Sequence, residues 1–176
     1  MRRSILIFAL LASACVSPAP VTSTALVAAD AATSLAVGER VTQEISSQAG
    51  GEGMDPAVNL TLRHADGRSI SFQEANHTPN DIFVQRAGGA LAQVMGLRGE
   101  ETTTLYYVTE GENAGSAFFC GPQGPAAIGT HEAPDGTLQV VGLRQAIQVE
   151  TRPDGATEAV PYSPDQVCAR LKFRRG

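Results

Sequence analysis

Apolar and polar residues alternate along much of the chain beyond Pro56. Val58, Leu60 and Leu62 share one face of an extended segment and Asn59, Thr61 and Arg63 the other; Ile70 and Phe72 resume the pattern after Ala65-Asp66-Gly67. A period of two marks a half-buried strand, and the turn residues between the two runs make this a β-hairpin. Side-chain parity selects the loop. A two-residue connection through Asp66 and Gly67 sets Arg63 against Ile70. A three-residue loop, with Ala65 and Asp66 in a type I turn and Gly67 left-handed, sets Leu62 against Ile70 and Leu60 against Phe72. The same chemistry recurs at Pro134-Asp135-Gly136 and Pro153-Asp154-Gly155, where proline presets the first turn residue and glycine takes the positive φ.

Further strands are predicted over Arg40 to Ser46, Thr102 to Thr109, Ser116 to Cys120, Ala126 to Glu132, Thr137 to Leu143, Ala146 to Thr151 and Gln166 to Arg174. With the first hairpin they amount to roughly nine short strands, which favours an all-β, mostly antiparallel sandwich or barrel of about eight to nine strands. The third hairpin is the weakest, because its bulged register sets Glu150 against Glu158 and runs into Pro161. Asp81 to Met95 is the one internal segment with a helical pattern, Phe83, Ala87, Leu91 and Met95 sharing a face. Gly88 and Gly89 weaken it by about 1 kcal/mol each, and a strand at Ile82 to Gln85 followed by a loop is the other reading. Ser, Thr, Pro and Ala dominate from Val16 to about Gly38, the composition of a tether. Helical turns between Thr24 and Val37 are the alternative there.

The first residues have a different character. Arg2 and Arg3 supply a positive start, Ile5 to Leu11 a short apolar core, and Ala12-Ser13-Ala14 the small residues that precede Cys15. This order is that of a cleavable export signal. It resembles the lipobox of bacterial lipoproteins, departing from the usual pattern in having Ala12 where Leu is commonest. The resemblance implies cleavage after Ala14 and acylation of Cys15, and Val16 in place of Asp implies sorting to the outer membrane. A simple secretory signal cut at the same place and an uncleaved anchor are the competing readings. The apolar run is shorter than the about 20 residues a membrane-spanning helix needs. The expected organisation is therefore a signal peptide over 1–14, a lipid-anchored tether over 15–38 and a single β-rich domain over 39–176.

The chain carries a net charge of −5, and removing the leader takes away two arginines and no acids. An acidic domain argues against nucleic acid as a partner. Cys120 and Cys168 remain after Cys15, and an even pair in an exported protein is expected to form a disulfide. Strand parity puts Val167, Ala169, Leu171 and Phe173 toward the core, and Cys168 with Arg170, Lys172 and Arg174 on the other face. The rival for Cys120 is a catalytic thiol served by His131. His64, His77 and His131 are too scattered to suggest a metal site, and no Gly-x-Ser-x-Gly elbow, Walker loop or His-Glu-x-x-His helix occurs. The carboxylates Glu100 with Glu101, and Glu110 with Glu112, read as solvated loop charges.

Two sets of residues are candidates for partner binding: the basic face Arg170, Lys172 and Arg174, and the paired Tyr106 and Tyr107. No cofactor is implied. The expected function is a non-catalytic cell-envelope lipoprotein that binds a protein or glycan through its β domain. Membrane-anchored lysozyme inhibitors are similar in size, anchor and β-richness, although none of their motifs is present. A carrier holding a small apolar ligand in a barrel is the alternative, and an enzyme comes third.

Overall fold

The structure is a computed structural model and describes residues 20–48, 56–75, 91–97, 101–109, 117–146, 148–160 and 162–176. The first hairpin folds in the register that parity selects: strands β3 (Ala57–His64) and β4 (Ser69–Glu74) pair Leu62 with Ile70 and Leu60 with Phe72. Gly67 lies at φ 94° and its N–H donates to the His64 carbonyl over 3.0 Å. All three Asp-Gly turns share one further bond. The carboxylates of Asp66, Asp135 and Asp154 each accept from the backbone N–H two residues on, at 3.0, 2.9 and 2.9 Å. That backbone bond holds the Asp66 carboxyl down at about 2 and is the main reason the Asp135 carboxyl is also lowered.

Around this hairpin, β1 (Val21–Ala28), β2 (Arg40–Gln48), β5 (Thr104–Val108), β6 (Ala127–Glu132), β7 (Leu138–Leu143) and β10 (Val167–Arg175) complete a closed antiparallel barrel. Neighbours in sequence are neighbours in space, except that β10 follows β7 after a separate ribbon of β8 (Gln148–Thr151) and β9 (Thr157–Val160). This ribbon is the third hairpin, and it does set Glu150 opposite Glu158. A small all-β barrel is thus the architecture.

Within the expected tether over 15–38, barrel closure corrects the part from Val21 onward; 15–19 lie outside the described residues. Val21–Ala28 is a full barrel strand, paired with β2 from Val21↔Ser46 to Val27↔Arg40 and with β10 from Leu26↔Arg175 to Ala28↔Phe173. Four of its eight residues are β-branched, which suits a pleated surface. Helix α1 (Ala31–Val37) follows, capped by Asp30, whose carboxylate accepts from the Thr33 N–H at 2.7 Å. α1 takes over where β1 leaves the edge of β10. The Lys172 carbonyl accepts from the Ala29 N–H at 2.8 Å, and the Lys172 N–H donates to the buried Thr33 hydroxyl at 2.8 Å. No ladder group of β10 at Lys172 is left to pair with another chain.

Two apolar clusters form. Inside the barrel lie Leu26, Val41, Leu60, Leu62, Ile70, Phe72, Ile128, Val140, Leu171 and Phe173, joined by Val37 from α1 and by Phe118 and Phe119. Outside, helix α2 (Leu91–Met95) seats Leu91, Val94 and Met95 on Leu105, Ala127, Val141 and Leu143. α2 falls at the end of the helix expected over Asp81 to Met95; 81–90 lie outside the described residues.

The expected strand Ser116 to Cys120 is a second correction. Phe118 and Phe119 are adjacent yet both buried in the inner cluster, which a strand with its alternating faces cannot do. The chain coils instead, with Cys120 at φ 64° and Gly121 at φ 82°, and plugs the barrel end where α1 also lies. Phe118 stacks at a tilt on His64, ring centroids 5.3 Å apart.

Cys120 and Cys168 are disulfide-bonded, but not on the face expected. A bulge between Val167 and Ala169 shifts the β10 register, so Val167 packs in the outer cluster while Ala169 packs in the inner one. Both sulfurs sit over Gly142, where an added Cβ would come within 2.6 Å of the Cys120 Sγ and 3.2 Å of the Cys168 Sγ. The link spans a sequence separation of 48, a closure that in the chain-entropy model contributes about 4 kcal/mol.

Gly129 does for the outer cluster what Gly142 does for the inner one. A Cβ there would meet Leu91 Cδ2 at 2.3 Å, so the missing side chain is the socket into which α2 sets its buried leucine. Gly129→Ala is expected to destabilise the protein by about 1–3 kcal/mol through overpacking, lowering Tm by roughly 2–4 °C per kcal/mol. Gly136→Ala meets no neighbour within 4 Å and should cost only the conformational strain of about 1 kcal/mol. Thermal melts of the two variants check this, and equal shifts would mean that Leu91 is not seated on Gly129.

Candidate functional site

The two ends of the barrel are filled differently. At one end α1, Phe118, Phe119 and the disulfide close the interior. At the other, where β1 begins and β10 ends, the inward positions turn polar. A pocket of about 270 Å³ opens there, lined by Gln43, Ile45, Thr102, Thr104, Tyr106, Thr130, His131, Glu132, Leu138 and Arg175. The alternation that turns Val41 and Ile45 inward brings Gln43 to the same inner wall, and Thr104 and Tyr106 share the face opposite to buried Leu105.

Arg175 Nη2 donates to Glu132 Oε2 at 2.9 Å across the rim. Both side chains are at least half exposed, so the pair adds little stability, about 0–1 kcal/mol, but it fixes a donor and an acceptor at the opening. Deeper, burial pushes the Tyr106 phenol up to about 12, the neighbouring Glu74 charge adding to the effect. The register places Glu74 directly opposite Tyr106.

His131 is the unusual group. It is 6% exposed, and its Nδ1 lies 2.9 Å from the Thr102 carbonyl. A carbonyl only accepts, so Nδ1 carries a proton, and in the neutral ring Nε2 is left as an acceptor. That Nε2 is buried with no hydrogen-bond partner; the nearest carboxylate oxygen, on Glu101, is 3.7 Å away, beyond hydrogen-bond range. That is also the tautomer of a general base, which needs a nucleophile beside its free nitrogen. Cys120 does not supply one: its sulfur is bonded, and it lies over Gly142, which pairs with Ile128, three residues along β6 from His131, or about 10 Å.

The other residues singled out by sequence do not meet at the mouth, apart from Tyr106. Tyr106 lines the pocket, whereas Tyr107, its neighbour on the strand, packs in the outer cluster beside Tyr162. Burial first, then Tyr107, raises the Tyr162 phenol strongly. Arg170, Lys172 and Arg174 alternate with inward Leu171 and Phe173 as expected and share the outer face of β10. The Arg170 guanidinium donates to the Val94 carbonyl at 2.8 Å, tying β10 to the last turn of α2. His64 is engaged at the plugged end; His77, Glu100, Glu110 and Glu112 lie outside the described residues. Among the described residues no three His, Cys, Asp or Glu side chains converge as metal ligands, and no helix is long and apolar enough to cross a membrane. Gln43, Thr104, Thr130 and Arg175 were not singled out. Their signal is a polar residue at an inward position of an otherwise apolar strand face, readable only once the barrel defines which face is inward.

A phenol held neutral by the fold destabilises it in alkali. Below pH 10 the raised pKa of Tyr106 has no effect, and between about 10 and 12 the unfolded chain ionises while the folded one resists, so stability falls. Tyr106→Phe should therefore unfold at higher pH than the wild type. The tyrosinate absorbance lost in that variant should be one that rises only near pH 12; a contribution already complete at pH 10 would contradict the buried placement. Compared with known protein families, with curated proteins and with solved structures, the chain matches none.

Proposed function

We propose that this chain is a lipid-anchored protein of the cell envelope that binds a protein or glycan partner at the mouth of its barrel and catalyses no reaction. The observation that carries this reading is the unequal filling of the barrel: apolar side chains and a cystine pack one end solid, and polar groups leave a pocket at the other. Eight-stranded barrels are wide enough either to be filled by side chains or to hold one small ligand, and here the length of the barrel is divided between the two. The apolar-carrier alternative has less support, because the inner cluster occupies the space an apolar ligand would take and the pocket walls are mainly polar.

The anchor rests on the lipobox resemblance at Ala12-Ser13-Ala14-Cys15. With β1 in the barrel, only five residues lie between Cys15 and Val21, and the six steps from one to the other span at most about 20 Å. An acylated Cys15 therefore keeps the mouth, where β1 starts, close to the outer-membrane surface. A long tether would have left the domain free to face anywhere.

Two experiments test the reading. Cys15→Ser should move the protein out of the outer-membrane fraction or leave uncleaved precursor, and unchanged fractionation would remove the anchor. A photo-crosslinking residue placed in cells at Thr102, on the mouth, should yield adducts that the same residue at Asp66, on the plugged end, does not. Adducts from Asp66 alone would put the binding surface at the wrong end.

A further inference from the structure

One wall of the barrel carries charge of the opposite sign to the chain as a whole. The net charge is −5, yet Arg170, Lys172 and Arg174 stand exposed in one row on the outer face of β10. The strand register extends the row. Arg174 pairs with Val27 of β1, and Val27 with Arg40 of β2. The exposed Arg40 therefore lies two strand spacings, about 10 Å, from Arg174 on the same outer face. Arg63, Arg68 and Arg175 are each held in an ion pair, whereas among the described residues Arg40, Lys172 and Arg174 form none. Arg170 keeps its charge while donating to the Val94 carbonyl. Two carboxylates flank the row. Those of Asp30 and Asp135 are lowered first by the Thr33 and Thr137 backbone N–H groups and further by the charges of Lys172 and Arg174. Four cations against two acids leave the wall positive.

Between these cations β1 contributes no charge. Its outward residues are Val21, Ser23, Ala25 and Val27, and Val21, at the end nearest Cys15, is 62% exposed. Cations beside a strip of small and apolar side chains suit a surface that lies in a lipid headgroup layer. Arg40, Lys172 and Arg174 line neither the mouth pocket nor the shallow groove at α1. They present a convex wall to an extended anionic surface, not a socket to a single anion. The acids elsewhere do not cancel this wall. Charges are screened over about 8 Å at physiological ionic strength. Opposite outer faces of a barrel lie further apart than the about 10 Å between facing sheets, which puts an acid such as Glu101, before β5, out of range.

We propose that the outer wall of β10, β1 and β2 docks on an anionic phospholipid surface, with Arg40, Lys172 and Arg174 on the lipid phosphates and Val21 among the headgroups. The barrel then lies on its side and its mouth opens along the membrane, free to meet a partner. The inference rests on the anchored reading for its location, since the six chain steps from Cys15 to Val21 hold this wall within reach of the bilayer. The acyl chains fix the protein to the membrane; the cations fix which wall faces it. An anionic surface repels a net-negative barrel from every side on which acids prevail, so a local excess of cations is enough to select one orientation.

The test is co-sedimentation of residues 15–176, carrying Cys15→Ser, with vesicles of phosphatidylcholine and with vesicles rich in phosphatidylglycerol, at low and high salt. This chain contains every described residue and no acyl group, so the result is independent of lipidation, which membrane fractionation tests separately. Binding is expected on the phosphatidylglycerol vesicles at low salt, with loss at high salt and none on phosphatidylcholine. Arg40→Gln, Lys172→Gln and Arg174→Gln should each weaken it about fivefold, and the triple variant on the order of a hundredfold. Their Tm should not change, because these side chains are exposed and unpaired. Arg152→Gln, on the β8–β9 ribbon, removes the same charge and should leave binding within twofold. An equal effect of Arg152→Gln would mean that net charge, not this wall, governs binding, and would overturn the proposal. Tighter binding of soluble polyglutamate than of the vesicles, per unit charge, would overturn it in favour of an acidic protein. Equal binding to both kinds of vesicle, or none to either, would overturn it and leave the lipid anchor standing.

Discussion

Closure of the barrel by β1 is the constraint on which the rest depends. Without Val21–Ala28, β2 and β10 would each present an unpaired edge, and the inner apolar face would have a gap where Leu26 now lies fully buried. Closure removes the edges that make open sheets prone to associate. It also fixes which face of every strand is inward, and so converts scattered threonines, a glutamine and a terminal arginine into one wall. The same strand ties position to address, since the residue proposed to carry the lipid lies six positions before its first residue.

Two glycines on neighbouring strands set what the barrel can hold. Gly142 makes room on the inside for the cystine, and Gly129, on the opposite face, makes room for Leu91 of α2. The inner socket commits one end of the barrel to packing, leaving the other end for a pocket. The outer socket holds α2 on the outer wall of β5, β6 and β7, and the Arg170 bond to Val94 fastens the helix to β10. Stability and site thus occupy different ends of one small barrel, which is how a protein with few aromatic residues can have both a filled core and an open polar cup.

Much of the barrel was legible in the alternation. The register of Leu60 and Leu62 on Phe72 and Ile70 follows from parity and turn chemistry alone, because both signals are local. β1 was not legible for the opposite reason. Its inward face carries Thr22, Thr24 and Ala28 around the single large residue Leu26, so the pattern of a half-buried strand is nearly silent, and the strand is stabilised by partners far away at Thr42 and Phe173. The bulge at Cys168 is invisible for a related reason: one extra residue reverses the parity of everything before it. Of the site, Tyr106 and His131 were in view as residue types, but Tyr107 was paired with Tyr106 by adjacency, which on a strand means opposite faces.

Hydrogen–deuterium exchange of the backbone amides of β1 is the most direct measurement of the central claim, that an N-terminal strand closes the barrel and builds its mouth. Closure predicts that the amides of Val21–Ala28 that bond to β2 or β10 exchange as slowly as those of the β3–β4 hairpin, and lose that protection only when the whole barrel unfolds. Exchange of Val21–Ala28 as fast as an unstructured chain, with β2 and β10 still protected, would return this segment to a tether, open the barrel and dissolve the wall on which the site depends.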